Sequence, residues 1–276
     1  MKKIFFSFFT LFFSYTFAQN NNQLVLKKDQ VITGTFNTDS DADFEMGSMK
    51  TNSNSTIKMR VIGETDKTYI ICNEITHMKT TAEGMGQSSS FDSDNADDKK
   101  SELGKQISEK INHPDTISID KKTGKIIPSK KKDSKEKEEG DSNIMESFSG
   151  SGGGNQTASE AFLIIPDDKK TGDFWIDSTS AEGISTKKVY TIISIENQIA
   201  TIQVNGIISG SSTQEIQGND ADVTINATIS GQITSNIISG LVMSNNIDIN
   251  MNNTISIMGK EMQVSTQSKS SSSYSY

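Results

Sequence analysis

Ser55-x-x-Lys58, Ser93-Asp94-Asn95 and Lys122-Thr123-Gly124 occur in the chain order of the penicillin-recognising serine enzymes. That chemistry needs a serine nucleophile at a helix N-terminus and its lysine one turn later on the same face, close enough to share in proton transfer. Here Ser55 and Lys58 lead into a run in which Ile57, Met59 and Val61 alternate with Lys58 and Arg60. Alternation of period two predicts a strand, where positions i and i+3 point to opposite faces. A second Lys-Thr-Gly at 170–172 and a second Ser-x-x-Lys at 185–188 show how readily a chain rich in Ser and Lys produces such triplets. The match is read as coincidence, and no catalytic residue is assigned.

Metal-ligating patterns are as incomplete. Asp39-Ser-Asp41-Ala-Asp43 begins like a calcium loop, yet the glycine and glutamate required at positions six and twelve are Phe44 and Lys50. Asp92, Asp94, Asp97 and Asp98 form a second acidic stretch, read as a solvated turn. His77 and His113 lie 36 residues apart, and Cys72 sits in an apolar run, so zinc has no ligand set with the usual spacing. Cys72 is read as a small buried hydrophobe and His113, before Pro114, as a turn residue. Ser151-Gly152-Gly153-Gly154 neither follows a strand nor opens a helix, so no phosphate-binding loop is present. No metal site, cofactor site or cofactor is expected.

Trp175, the single tryptophan, is flanked by Phe174 and Ile176 at the head of a strand. Two readings stand: a platform on which a ligand stacks, or an anchor docking the C-terminal part of the chain. The anchor is preferred.

These residues must be placed by elements that composition already restricts. The 276-residue chain carries 27 basic and 35 acidic side chains, a formal charge of −8, and its single arginine is Arg60. Negative charge and one arginine argue against nucleic acid as a partner. Residues 1–18, MKKIFFSFFTLFFSYTFA, have the organisation of a cleavable export signal. Lys2 and Lys3 precede an apolar stretch from Ile4 to Phe13, and Thr16-Phe17-Ala18 forms a small-x-small cleavage site. The apolar stretch is shorter than the roughly 20 residues of a membrane span, and no other long apolar run follows. The expectation is an exported protein, periplasmic or extracellular or associated with the outer membrane, with no transmembrane helix after cleavage. With Cys72 as the only cysteine, neither an intrachain disulfide nor a lipoprotein anchor just after the signal is available.

The aliphatic residues are lopsided, with 35 Ile against 6 Leu. β-Branched side chains are stiff at χ1 and suit a pleated surface. Val223, Ile225, Ala227, Ile229, Gly231 and Ile233 alternate with polar residues; after a turn at Ser239-Gly240, Ile247, Ile249, Met251, Ile255 and Ile257 do the same. Ile225, Ile229, Ile233, Ile249 and Ile255 are therefore expected on a sheltered face, and Asn226, Asn250 and Asn252 in water. Further strand pairs are expected around Ile57–Val61 with Tyr69–Cys72, and Val189–Ile195 with Ile199–Ile208. Shorter strands are expected at 115–120 and 124–127. Helix is expected over 97–112, where Leu103, Ile107 and Ile111 repeat every four residues, and from Thr157 to Phe162. The fold expected is mainly β with few short helices: long amphipathic antiparallel strands in an open half-barrel or curved sheet, with one or two helices packed on its concave side. Residues 128–156, a charged run followed by SGSGGGN, are expected to link an N-terminal β lobe, 19–127, to a C-terminal β-meander lobe, 157–276.

Several short stretches together resemble a known family. They are Leu24-Val25-Leu26-Lys27-Lys28-Asp29-Gln30 after an exported N-terminus, Phe91-Asp92-Ser93-Asp94, and Ile119-Asp120-x-x-x-Gly124-Lys125-Ile126. Beyond the linker come Phe162 to Pro166, Gly172-Asp173-Phe174-Trp175 and the β meander. In these the chain resembles an uncharacterised family of secreted bacterial β-rich proteins, the domain-of-unknown-function family 6263. Where members often carry Lys-Gly-Asp this chain has Lys28-Asp29-Gln30. The resemblance implies no activity.

The functional expectation is an exported, non-enzymatic β protein that binds or carries an apolar ligand or an envelope component. An apolar sheet face with too few helices to cover it points to a hydrophobic small molecule or lipid as partner. Lipoprotein-carrier half-barrels are the analogy, at the level of fold alone. The alternative is an outer-membrane β-barrel or a surface structural protein. Alternating strands and the final Tyr274-Ser275-Tyr276 favour a barrel; against it, too few aromatic residues remain beyond the signal to form two girdles.

Overall fold

A computed structural model describes residues 23–45, 47–101, 104–105, 107, 111–127, 158–181, 183–216 and 219–276. The export signal expected at 1–18 and the linker expected at 128–156 lie outside the described residues.

The first half of the chain contributes β1 (Val31–Phe44), β2 (Gly47–Glu64), β3 (Thr68–Gly84), β4 (Gln87–Asp92), β5 (Asp115–Asp120) and β6 (Ile126–Ile127). The second contributes β7 (Phe174–Ala181), β8 (Ile184–Glu196), β9 (Ile199–Ile216), β10 (Asn219–Asn236), β11 (Val242–Ile257) and β12 (Lys260–Ser275). All join one antiparallel sheet in the order β6-β5-β3-β2-β1-β12-β11-β10-β9-β8-β7, with β4 on the far half of β3. Two meanders thus stand back to back. Their first and last strands meet mid-sheet, in register from Thr33↔Ser275 to Phe44↔Val264.

Local chemistry accounts for the turns. Asn197 and Gln198, both at positive φ, form the two-residue connection of β8 to β9. Side-chain alternation accounts for the faces. Ile229, Ile233 and Ile255 are buried and Ile225 and Ile249 half-buried on one face, while Asn226, Asn250 and Asn252 are exposed on the other.

The sheet curls. A single buried cluster collects Ile117 and Ile119 from β5, Ile32 and Phe36 from β1, and Tyr190 and Ile192 from β8, with Ile126 and Trp175 of the two edge strands packed against it. Strands at opposite ends of the order reach one cluster only if the sheet rolls towards itself. At the seam Lys125, just before β6, places Nζ 2.8 Å from Asp177 Oδ1 on β7. Register shifts at Val61/Gly63, Ile192/Ser194 and Thr234/Ser235 fall near this end of their strands, where bulges increase bending.

The expected helices in the concavity are not borne out. Gly104, Lys105 and Ile107 have helical backbone, but Ile111 forms a bridge with Ile75 instead of completing the stripe. Ala158 and Ser159 are helical, after which the chain pairs with the sheet end. Phe162 bridges Leu241, Leu163 N donates to Gly240 O, and Val242 N donates to Ala161 O. Those bonds take the backbone groups that a longer helix would use internally. Two irregular straps therefore close one end of the curl. Leu24 and Leu26 enter with the first, tied by Leu24 N to Lys121 O, Val25 N to Ser239 O and Leu26 N to the Tyr69 hydroxyl. Ala158, Ala161, Phe162 and Ile165 enter with the second.

Candidate ligand-binding concavity

The inner face changes character along the strands. At the strapped end lies the main cluster; near the far end of β1, β10, β11 and β12 a smaller one joins Ala221, Val223, Ile255 and Val264, with Phe44 and Met262 against it. Between the two, Ile208, Ile249 and Met251 point inward and are only half-buried. On β1 and β12 the inward positions of this middle zone are small and polar: Thr38, Ser40, Thr266, Ser268 and Ser270.

Next to the main cluster, polar side chains break into the apolar face. Asn245 on β11 is the register partner of Ser272 on β12, and Tyr274 follows two residues on, facing the same way. All three are at least nine-tenths buried. Asn245 Nδ2 donates to Glu160 Oε2 at 3.3 Å, while Asn245 Oδ1 has no hydrogen-bond partner. Glu160, on the second strap, keeps exposed surface although protein crowds it. Burial raises its carboxyl above the ordinary value, opposed by Lys188 and by the Asn245 bond. Burial likewise raises the Tyr274 phenol, with the Glu160 charge adding to the effect and a hydrogen bond with the Ser272 side chain opposing it. The Tyr190 phenol is pushed up to about 12 by burial, then by the charges of Asp177 and Glu160. The Tyr274 ring packs edge-on to Phe36, centroids 5.6 Å apart, over Gly34, its register partner on β1. A Cβ at Gly34 would lie 3.0 Å from Tyr274 Cε1, so the ring depends on that position having no side chain.

None of the sequence motifs assembles a catalytic site. Ser55 and Lys58 take opposite faces of β2, as alternation requires, and Ser185 and Lys188 do the same on β8. Lys122 and Thr123 lie in a turn whose amides both donate to Asp120 Oδ1. Lys170 lies in another, its amide donating to Asp173 Oδ2. Asp39, Asp41 and Asp43 are not a loop: they share the outer face of β1, where Asp41 pairs with Lys50 at 3.3 Å. Trp175 stacks on Tyr190, rings 5.0 Å apart and 11° from parallel, against the main cluster, which supports its reading as an anchor. Cys72 is half-buried and His113 exposed, and they are not brought together.

The acidic stretch before the 3-10 turn gains a member that sequence reasoning missed. The hairpin of β3 and β4 carries His77 to Asp92 and Asp94, with ligand atoms within 4.8 Å of one another. Only the pairing of β3 with β4 could have revealed this. Most acceptors there already have donors: Asp92 Oδ1 takes the Asp94 amide, Asp92 Oδ2 lies 3.4 Å from Lys79 Nζ, and Asp98 Oδ2 takes the Asp92 amide. His77 Nδ1 is 3.1 Å from Ser93 Oγ. The Asp94 amide, then Lys79, holds the Asp92 carboxyl below its ordinary value.

A family of unknown function, DUF6263, matches residues 66–242. No curated protein matches the chain. Among solved structures the chain is similar to one describing lipid–protein interactions in lipovitellin, at 10% identity and a TM-score of 0.48, over 91% of this chain and 26% of that one. It is also similar to Pseudomonas aeruginosa OpdQ, at 7% identity and a TM-score of 0.24, over 91% of this chain and 99% of that one. An outer membrane channel from Pseudomonas putida F1 gives 6% identity and a TM-score of 0.24, over 91% and 97%. The chain thus spans about a quarter of the lipovitellin chain it matches. At these identities and TM-scores none of the likenesses bears on ligand or activity.

Proposed function

The chain belongs to the DUF6263 family, a family of unknown function, and from that premise we propose that it is an exported, non-enzymatic protein that shelters an apolar ligand in its curled sheet. The observation that carries this reading is the middle of the inner face, where Ile208, Ile249 and Met251 point into the concavity and stay half-buried between two packed ends. Aliphatic surface left in that state gains by covering, at roughly 25 cal/mol per Å² removed from water. A small aliphatic molecule or a lipid chain would provide that cover.

The direction of the faces favours this reading over an outer-membrane barrel. A membrane barrel turns its apolar side chains outward to lipid and its polar ones to the lumen. Here the outer positions of β10 to β12 are Asn226, Thr228, Ser230, Asp248, Asn250 and Gln267, all exposed, and the isoleucines turn inward.

The test is a titration of delipidated protein with a fluorescent fatty-acid probe. Saturable binding that unlabelled long-chain aliphatics reverse is the expected result, and absence of binding by any aliphatic probe overturns the reading. Export is checked separately by fractionating cells: recovery in the soluble periplasmic or secreted fraction is expected, with Gln19 as the first residue.

A further inference from the structure

A depression of about 220 Å³ opens on the outer face of β1, β12 and β11, lined by Asn37, Asp39, Lys269, Ser271, Asn246 and Asp248. Register sets these six side chains in a grid. Asn37, Ser271 and Asn246 stand side by side across the three strands, and Asp39, Lys269 and Asp248 form the next row. Cross-strand neighbours of this kind lie about 5 Å apart. Ser271, the shortest of the six, is half-buried, while the other five are exposed. The amide row dips at the serine, and the longer side chains around it make the walls.

β2 fixes one side of the grid. Asn54 Nδ2 donates to Asn37 Oδ1 and Asn52 Nδ2 donates to Asp39 Oδ1, both at 2.5 Å. Asn37 is left presenting its Nδ2 as a donor, and Asp39 its Oδ2 as an acceptor. Lys269 stands in register between two carboxylates, yet among the described residues no ion pair joins it to Asp39 or Asp248.

We propose that this depression is a binding site for a neutral saccharide, on the face opposite the apolar concavity and independent of it. The grid offers donors in Lys269 Nζ and the amide nitrogens, acceptors in the two carboxylates, and in Ser271 a hydroxyl that serves as either. A sugar ring presents several hydroxyls, each of which donates and accepts, and so matches donors and acceptors that alternate across the strands. An anion would meet two carboxylates for one lysine, and like charges repel. A divalent cation needs several oxygens around it, and here the lysine stands between the two carboxylates. The rows continue onto β10, with Gln232 beside Asn246 and Ser230 beside Asp248. A glycan running across the strands therefore meets polar side chains beyond its first ring.

The experiment is isothermal titration calorimetry of the full chain with cellohexaose, maltohexaose and hexa-N-acetylchitohexaose. Saturable binding of at least one is expected. Asp248→Ala and Lys269→Met should each weaken it about tenfold, the effect of one well-made hydrogen bond. Asn252→Ala, exposed on the same face of β11 but outside the depression, should leave the affinity unchanged. All three side chains are exposed; should one variant not fold, Asn246→Ala takes its place in the comparison. Absence of binding by all three sugars overturns the inference. So does binding that neither Asp248→Ala nor Lys269→Met weakens, since the sugar then sits elsewhere. Binding of inorganic phosphate or calcium in place of the sugars, lost in the same variants, overturns it too. Loading the chain with a fluorescent fatty-acid probe should leave the sugar affinity as it was, and mutual exclusion of probe and sugar would overturn the placement on the outer face. None of these failures bears on the apolar-ligand reading, which the probe titration tests by itself.

Discussion

Glu160 and Gly34 show how much single positions decide inside this sheet. The glycine makes room for Tyr274, and the carboxyl sits where its charged form is disfavoured by burial. The pH consequence has a definite sign. A carboxyl whose folded-state pKa lies above its unfolded value, 4.5 here, binds its proton more tightly in the native state. Its native-state advantage is complete below the unfolded value and is lost as pH rises through the folded-state value. Glu160→Gln removes that dependence. The variant should melt close to the parent below pH 4.5 and progressively above it as pH rises towards neutrality, as thermal melts at a series of pH values would show. A gap that narrows with rising pH would contradict the assignment. Such positions are poorly legible in sequence, because a reader of alternation assigns Asn to water. That works for Asn226, Asn250 and Asn252. It fails for Asn245 and Asn253, which register carries to the inner face, where both are buried.

Elements were legible in proportion to how apolar their inward positions are. β10 and β11 present apolar side chains inward at most positions, isoleucine the commonest, and the sequence pattern locates them and their faces. The middle stretches of β12 and β1 present Ser, Thr and Ala inward, so no continuous hydrophobic period marks these strands. They are strands because each lies between two others, β12 between β1 and β11. The helix expected over 157–162 stops early because sheet-end carbonyls and amides were available to its backbone, and of the stretch 97–112 Gly104, Lys105 and Ile107 are α-helical among the described residues. The β10 assignment predicts a sharp contrast between neighbours. Ile229→Asp places an unpartnered carboxylate at a buried inward position and should cost about 3–5 kcal/mol. Asn226→Asp, on the exposed face three residues away, should stay within roughly 0.5 kcal/mol of the parent. Urea denaturation of the two variants measures the difference; equal costs would mean the faces are assigned wrongly.

At the scale of the whole molecule, the two expected lobes contribute neighbouring halves of one sheet, joined through β1 and β12. They also share one core cluster, to which β5 brings Ile117 and β9 brings Ile202. Shared packing of that kind should make the halves unfold together. Trp175, the only tryptophan, reports from the C-terminal half; its fluorescence transition should coincide with the far-ultraviolet circular dichroism transition, which reports on all strands. Two separated transitions would establish independent lobes. The position of the β1–β12 ladder has a further consequence. The covalent link between the halves runs between β6 and β7, the opposite edges of the sheet, whereas the ladder that unites them lies at its centre. Cutting the chain anywhere in 128–156 therefore leaves that ladder whole. Residues 19–127 and 157–276, produced as two polypeptides in one cell, should reassemble without a peptide bond between them, a natural pair for fragment complementation. Each fragment alone would carry a long unpaired edge and should precipitate. Co-purification through a tag on one fragment only is the readout.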